Sequence, residues 1–446
     1  MSDSITGSIY KDYFQYTTDY KFKYGNQTIV LLQVGAFFEI YGIKDLKTTQ
    51  ITGSNIVEFS EICQLNISEK KDKDTMSNGQ IVMAGFRDFT IEKYLQKLTE
   101  YGYTVPVFIQ EKNGKEITRK LDKVYSAGTY LSYEIDSSPR ITNNIMCVWL
   151  DKFRSSNSGI ANRDIIVYGV SVINIFTGKS SIFQHETPFF MNTTTFDELE
   201  RYVSIVLPSE VLIISPFNEK EIQTIIQFTG IQSQMIHKID SQDPKNQKII
   251  NCTSQKYIKQ ILSTFFGEEA YDICSEFYNR IIATQSFCYL LNFIQEHNPD
   301  LVRKISIPDF TNTSDRMMLA NHTLLQLNII GDLSNDGKKT GQLSSVLSLL
   351  NKCCSPMGRR KFQYQLTNPT FNEKWLNEEY NMIAKMLDED HYFFIETFRK
   401  QIIQIRDIEK ICRQLVLKKI YPSSIYHLYK SIHIIKQMNT CLFESN

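Results

Sequence analysis

"LLQVGAFFEIYG" spans residues 31–42. With the two residues before it, the apolar run "IVLLQV" (29–34) is too short and too β-branched for a helix, and it reads as a strand ended by Gly35. Two large rings and a carboxylate follow at once: Phe37, Phe38 and Glu39. In an ordinary strand the rings would alternate between core and solvent, with Glu39 in water. A second reading makes the trio a wedge. A ring carried just past a glycine, where backbone can approach a partner closely, can slip between base pairs and unstack them. Unstacking costs least where pairing is already defective, so such a ring turns weak stacking into selectivity. A carboxylate repels phosphate but accepts a hydrogen bond from a base, so Glu39 would read the base and not the backbone.

Outward from this stretch, Tyr10, Tyr13, Phe14, Tyr16 and Tyr20 can bury one aromatic helical face. "FTIEKYLQKLTEYGYT" sets Ile91, Tyr94, Leu95, Leu98 and Tyr101 on one stripe, with Thr90 able to cap its start and Gly102 its end, and "TVPVFIQ" (104–110) reads as a further strand. That order predicts a small mixed α/β domain. "IIVYGVSVINIFTGKSSIFQ" predicts a hairpin turning at Thr177-Gly178, beyond the polar stretch "SSNSGIANRD" (155–164). Thr195 and Glu198 have capping-box spacing, Leu199, Tyr202 and Val203 open an amphipathic helix, and "EVLIIS" follows as a strand. From about residue 268 the texture is long helical periodicity. We therefore expect a multidomain α/β plus all-α chain, with domains at 1–128, 129–265 and 266–446, the last all-helical and stopping at Asn446 beside helical text without a clear terminal cap.

Composition bounds the chemistry. With 49 basic and 49 acidic residues among 446, no whole-molecule field attracts a polyanion, so any such site is local. Residues 316–446 carry 18 Lys/Arg against 12 Asp/Glu, the basic end of the chain. Nine cysteines without a C-x-x-C pair suit neither a disulfide framework nor zinc, and seven scattered histidines lack ligand spacing. With neither a signal sequence nor a membrane-length apolar run, an intracellular, soluble protein is expected. "GDLSNDGKKT" (331–340) imitates a phosphate loop, but Gly331 is one residue early and Lys339 stands where Ser or Thr belongs, so a polar loop is expected and the chain is read as no enzyme. A metal-dependent nuclease on the second α/β domain would need a carboxylate cluster, whereas the hairpin offers Asn174 with Asp164 outside the strand. Arg399, Arg406, Lys410 and Arg413 fall at steps of 7, 4 and 3 on one helical face, either solvated or in weak contact with phosphate, beside an apolar stripe of Ile405, Ile408, Cys412 and Leu415.

Taken together, these pieces resemble the MutS mismatch-recognition family in collinear order. "GAFFE" (35–39) resembles its G-x-F-[YF]-E element, "MAGF" (83–86) and the helix after it the next segment, and "RKLDKVYSAGTYL" (119–131) the close of its first domain. "YGVSVINIFTGKS" resembles the start of its connector domain, and "MMLANHTLLQLNII" (317–330) and "GQLSSVLSLLNKCCSPMGRRKFQYQLTNP" (341–369) its core. The resemblance implies a mismatch-binding domain, a ribonuclease-H-like connector and an incomplete helical core/lever domain. It implies that Gly35 frames the wedge, that Phe37 is inserted from the minor groove, that Phe38 packs inward, and that Glu39 hydrogen-bonds the mispaired base. Its partners would be mismatched duplex DNA and downstream repair proteins. No cofactor is expected in this chain, since ATP, Mg and dimerisation belong to a full-length parent. Abundant Ile, Asn and Lys and the insertion "NISEKKDKDTMSNGQ" hint at a divergent viral or organellar branch. The alternative is a truncated homologue that recruits repair proteins without holding DNA.

Overall fold

The computed structural model describes residues 6–70, 79–113, 116–132, 142–154, 164–268, 274–310, 317, 323–330 and 343–444. The polar stretch at 155–163, most of the insertion after Lys70, much of 317–330 and the loop carrying Lys338 and Lys339 lie outside these residues. The chain divides into two compact units: Met1–Ser132 with Gln234–His237 and Asn292–Asp300, and Tyr133–Ser233 with Lys238–Leu291 and Leu301–Asn446.

The first unit is built on a seven-stranded sheet. In chain order its elements are α1 (Thr6–Tyr24), β1 (Leu31–Val34), β2 (Phe37–Asp45), β3 (Ile51–Thr52), α2 (Ile56–Cys63), β4 (Ser68–Glu69), β5 (Gly79–Arg87), α3 (Ile91–Glu100), β6 (Val105–Asn113) and β7 (Glu116–Tyr125). The sheet runs β4-β5-β2-β1-β6-β7, with β3 on β2. β1 lies antiparallel to β2 and parallel to β6, so the "GAFFE" strand is central and both its faces are covered. On one face the aromatics of α1 meet the sheet: the Tyr10 and Tyr13 rings stand edge-on to Tyr41 at 5.0 and 5.1 Å, and Tyr16 stacks on Phe108 at 4.4 Å. On the other, Phe86 carries Phe38, Phe59 of α2 and Tyr94 of α3. The helical stripe over 91–101 forms through Leu95 and Leu98, but Tyr101 is exposed.

In the second unit β8 (Asn144–Arg154), β9 (Asp164–Asn174) and β10 (Ser180–Pro188) form an antiparallel meander, and β11 (Glu210–Ser215) lies parallel to β8. Within this unit the sheet order is β11-β8-β9-β10-β12, where β12 is Asp309–Phe310. The hairpin turns where expected, with Gly178 at φ +74. The helix α4 (Asp197–Val206) buries Leu199, Tyr202 and Val203, but the Thr195–Glu198 capping box does not form. A 3-10 turn over Thr194–Phe196 precedes the helix; there the Thr195 hydroxyl donates to Asn192, and Glu198 accepts from Arg201. Thr90 likewise donates to the Arg87 carbonyl and does not cap α3.

Beyond α5 (Glu219–Phe228), α6 (Gln247–Thr253) and α7 (Gln255–Phe266), the chain is mainly helical: α8 (Ile281–His297), α9 (Pro356–Thr367), α10 (Glu373–Met386), α11 (Tyr392–Ile402), α12 (Ile408–Val416) and α13 (Pro422–Glu444). The expectation of an all-helical region from 266 needs one correction. Asp309 and Phe310 pair with Ser181 and Ile182 and extend the sheet, because the edge of β10 has ladder groups to satisfy. No described helix is long and apolar enough to cross a membrane.

Candidate nucleic-acid interface

Gly35 adopts φ +60 in the turn between β1 and β2, a backbone region that glycine enters without a Cβ penalty. Its N–H donates to Gln110 Oε1 at 3.0 Å, which ties the turn to β6. The antiparallel register then sends successive side chains of β2 to opposite faces. Phe37, first in the strand, is 43% exposed, and Phe38 is 5% exposed and packed on Phe86. The two rings of "GAFFE" therefore have opposite environments.

Glu39 shares its face with Phe37 but lies deeper, 8% exposed. Its Oε2 accepts from the Tyr41 hydroxyl at 2.5 Å and from Lys70 Nζ at 3.3 Å. Burial, and then the hydrogen bond to the Glu39 carboxylate, push the Tyr41 hydroxyl far above its ordinary value, so it stays protonated and donates. Lys70 Nζ also lies over the Tyr41 ring, 5.0 Å from its centroid, and over Tyr10 at 5.5 Å. The carboxylate is thus held by a phenol and an ammonium within an aromatic nest. Sequence reasoning missed both holders. Tyr41 could have been found from the two-residue strand period counted from Glu39, but Lys70, 31 residues away, leaves no local signal.

The four C-terminal cations do not make one face. Asp407 accepts from the Lys410 N–H and caps α12, so the helix carrying Arg399 ends at Ile402 and a new one starts at Ile408. Arg399 is exposed, and Arg406 lies in the connection. Lys410 is buried with Nζ 5.1 Å from the Phe176 ring centroid, and Arg413 is buried with its guanidinium donating to the carbonyls of Leu301, Arg303 and Lys304. Burial pushes the Arg413 guanidinium down to about 10. The expected apolar stripe is correspondingly wrong in part: Ile405 is buried, but Cys412 and Leu415 are exposed. The inversion arises because Arg413 closes the carbonyls of an adjoining loop and Arg360 makes a forked pair with Asp407 (2.7 and 2.8 Å) and reaches Glu409 at 2.7 Å.

In the second unit, Asn174 is part of the hairpin turn. Its amide donates to Asn144 at 2.8 Å and its oxygen accepts from the Thr177 N–H at 3.0 Å, while Asp164 pairs with Lys152 at 2.8 Å. Among the described residues no cluster of three or more His, Cys, Asp or Glu side chains could hold a metal ion.

Comparison with known proteins matches the family model of MutS domain I to residues 13–134 and that of MutS domain III to residues 322–446. A DNA mismatch repair protein mutS homolog of Acanthamoeba polyphaga mimivirus is 26% identical over 444 residues, covering 94% of this chain and 38% of the relative. The DNA mismatch repair protein MutS of Petrotoga mobilis is 20% identical, covering 95% of this chain and 44% of its own length. That of Thermodesulfovibrio yellowstonii is 25% identical, covering 93% and 41%. The chain spans about two-fifths of the length of these relatives. Two MutS domains in their numbered order, and likeness to MutS proteins along nearly the whole chain, identify it as a member of the MutS family.

Proposed function

We propose that this chain is the recognition, connector and partial lever portion of a mismatch-recognition protein, and that it meets mispaired duplex DNA through the Gly35 turn. The observation that carries this reading is the split between the two rings: Phe38 is spent on the core, whereas Phe37 stands at the strand end with its ring accessible. Phe37 enters the minor groove beside a mispair, where unstacking costs least. Glu39 then exchanges the Lys70 ammonium or the Tyr41 hydroxyl for a donor on the base. The meander β8-β9-β10 with β11 parallel to β8 supports a ribonuclease-H-like connector in a structural role. The nucleotide-driven steps, with ATP and Mg, and dimerisation belong on this reading to a longer parent polypeptide.

The test is binding of the chain to a mismatched and a matched duplex at stated salt. Phe37→Ala should weaken mismatch binding by about 1–3 kcal/mol, the worth of one ring stacked on a base, with little change on the matched duplex. Unchanged discrimination would remove Phe37 from the role. The balance of 49 basic and 49 acidic residues favours one second reading, recruitment of repair proteins without DNA binding. Capture of a repair protein by a chain that holds neither duplex would put that reading first.

A further inference from the structure

Opposite Phe37 in the ladder stands Arg87, the last residue of β5. Directly paired residues of antiparallel strands project from the same face, with Cβ atoms about 5 Å apart. The next pair on that face is Glu39 with Gly85. A Cβ at Gly85 would meet the Phe38 carbonyl oxygen at 2.6 Å, so the position beside Glu39 stays without a side chain. Ring, cation and carboxylate are thereby arranged at one end of one sheet face. The turn after Arg87 is tied to the wedge turn by the Asp88 N–H, which donates to the Ala36 carbonyl at 2.9 Å. Asp88 directs its own carboxylate to the Phe89 N–H at 2.8 Å.

Arg87 is exposed, and among the described residues no carboxylate pairs with its guanidinium. Two other cations of this sheet are engaged: Lys70 with Glu39, and Arg119 Nε with the Gln33 carbonyl. The minor groove is about 6 Å wide, and its walls are sugar and phosphate. A guanidinium displaced sideways from an inserted ring by the cross-strand spacing therefore meets a wall phosphate and not a base.

We infer that Arg87 is a second DNA contact of this face, a phosphate clamp beside the Phe37 wedge that supplies locally the positive charge the chain as a whole lacks. This rests on the wedge reading above, and the two fail differently. Binding of the full chain to matched and mismatched duplexes is measured across a salt series for the parent chain, Arg87→Ala, Arg87→Lys and Phe37→Ala. Arg87→Ala should weaken both duplexes by the same factor and reduce the slope of log K against log salt by about 0.9, the loss of one phosphate contact. Arg87→Lys should keep the slope, because an ammonium also neutralises phosphate. Phe37→Ala should lose discrimination with the slope intact. An Arg87→Ala chain with unchanged slope and affinity overturns the clamp alone, as does a changed mismatch ratio with an unchanged slope. Retained discrimination in Phe37→Ala overturns the wedge. A chain that binds neither duplex overturns both. Arg87 is exposed at a strand end, so an unaltered melting curve for Arg87→Ala separates a lost contact from a lost fold.

Discussion

At Tyr41 the chemistry of the site and the stability of the fold meet in one hydroxyl. Its ring is fully buried between Tyr10 and Tyr13, and its hydroxyl proton is held by Glu39. Burial and that carboxylate both raise its pKa in the folded chain, whereas the unfolded chain titrates near the ordinary value of about 10. A raised folded pKa contributes stability that is complete below the unfolded value and is lost as pH climbs past it. Tyr13, also fully buried and raised chiefly by burial, acts in the same sense. Melting temperature should therefore fall above about pH 10, and Tyr41→Phe should fall less steeply. At neutral pH Tyr41→Phe should cost about 1–3 kcal/mol, because Glu39 stays buried with one donor removed. Melts of the two chains from about pH 8 to 11 check this, and parallel curves would refute it. The environments of the "GAFFE" residues were partly legible, since strand alternation separates Phe37 from Phe38. The engagement of Glu39 was not, because Lys70 reaches it through the fold.

Among the elements, β9 and α8 depend on a glycine. A Cβ at Gly169 would lie 2.2 Å from the Ala283 nitrogen and 2.3 Å from the Ile282 carbonyl carbon, both backbone atoms of the first turn of α8. Gln184 on β10 accepts the N–H groups of Ile282 and Ala283 at 3.0 and 3.2 Å and so satisfies donors that a helix start leaves open. Further along, the Ser286 hydroxyl donates to the Cys147 carbonyl at 2.7 Å. Backbone cannot yield as a side-chain tip can, so Gly169→Ala should cost about 1–3 kcal/mol, read from denaturant midpoints. An unchanged midpoint would mean that helix and strand part without loss. Elements with a strong local period were readable in advance: the hairpin at Thr177-Gly178, the strand "EVLIIS" and the stripe from Leu95 to Leu98. The break at 403–407 was not, because "FRKQIIQIRDIEKICRQLVLKK" keeps helical spacing through it, and the stop comes from Asp407 serving both as cap and as partner of Arg360.

Over the whole molecule, charge cancels and apolar surface does not. Tyr380 in the middle of α10, Leu387 just past its end, Tyr392 and Phe393 on α11, and Tyr426 and Tyr429 on α13 are exposed, Phe393 to 80%. Exposed hydrophobic side chains bind apolar dyes. The native chain should raise the fluorescence of anilinonaphthalene sulfonate, and Tyr392→Ser with Phe393→Ser should lower that signal with the far-ultraviolet spectrum unchanged; a dye signal absent from the native chain would refute it. The sequence by itself determined the elements with a local period, the mixed α/β start and helical end, and the collinear segments that mark the MutS family. It did so because local periodicity and short motifs survive in one dimension. Only the tertiary structure decided that Phe37 is accessible while Glu39 is held by Tyr41 and Lys70, that Arg87 stands across the ladder from Phe37, and that Lys410 and Arg413 are interior. Those facts follow from strand register and from side chains tens to more than a hundred residues apart, whose pairing no local pattern encodes.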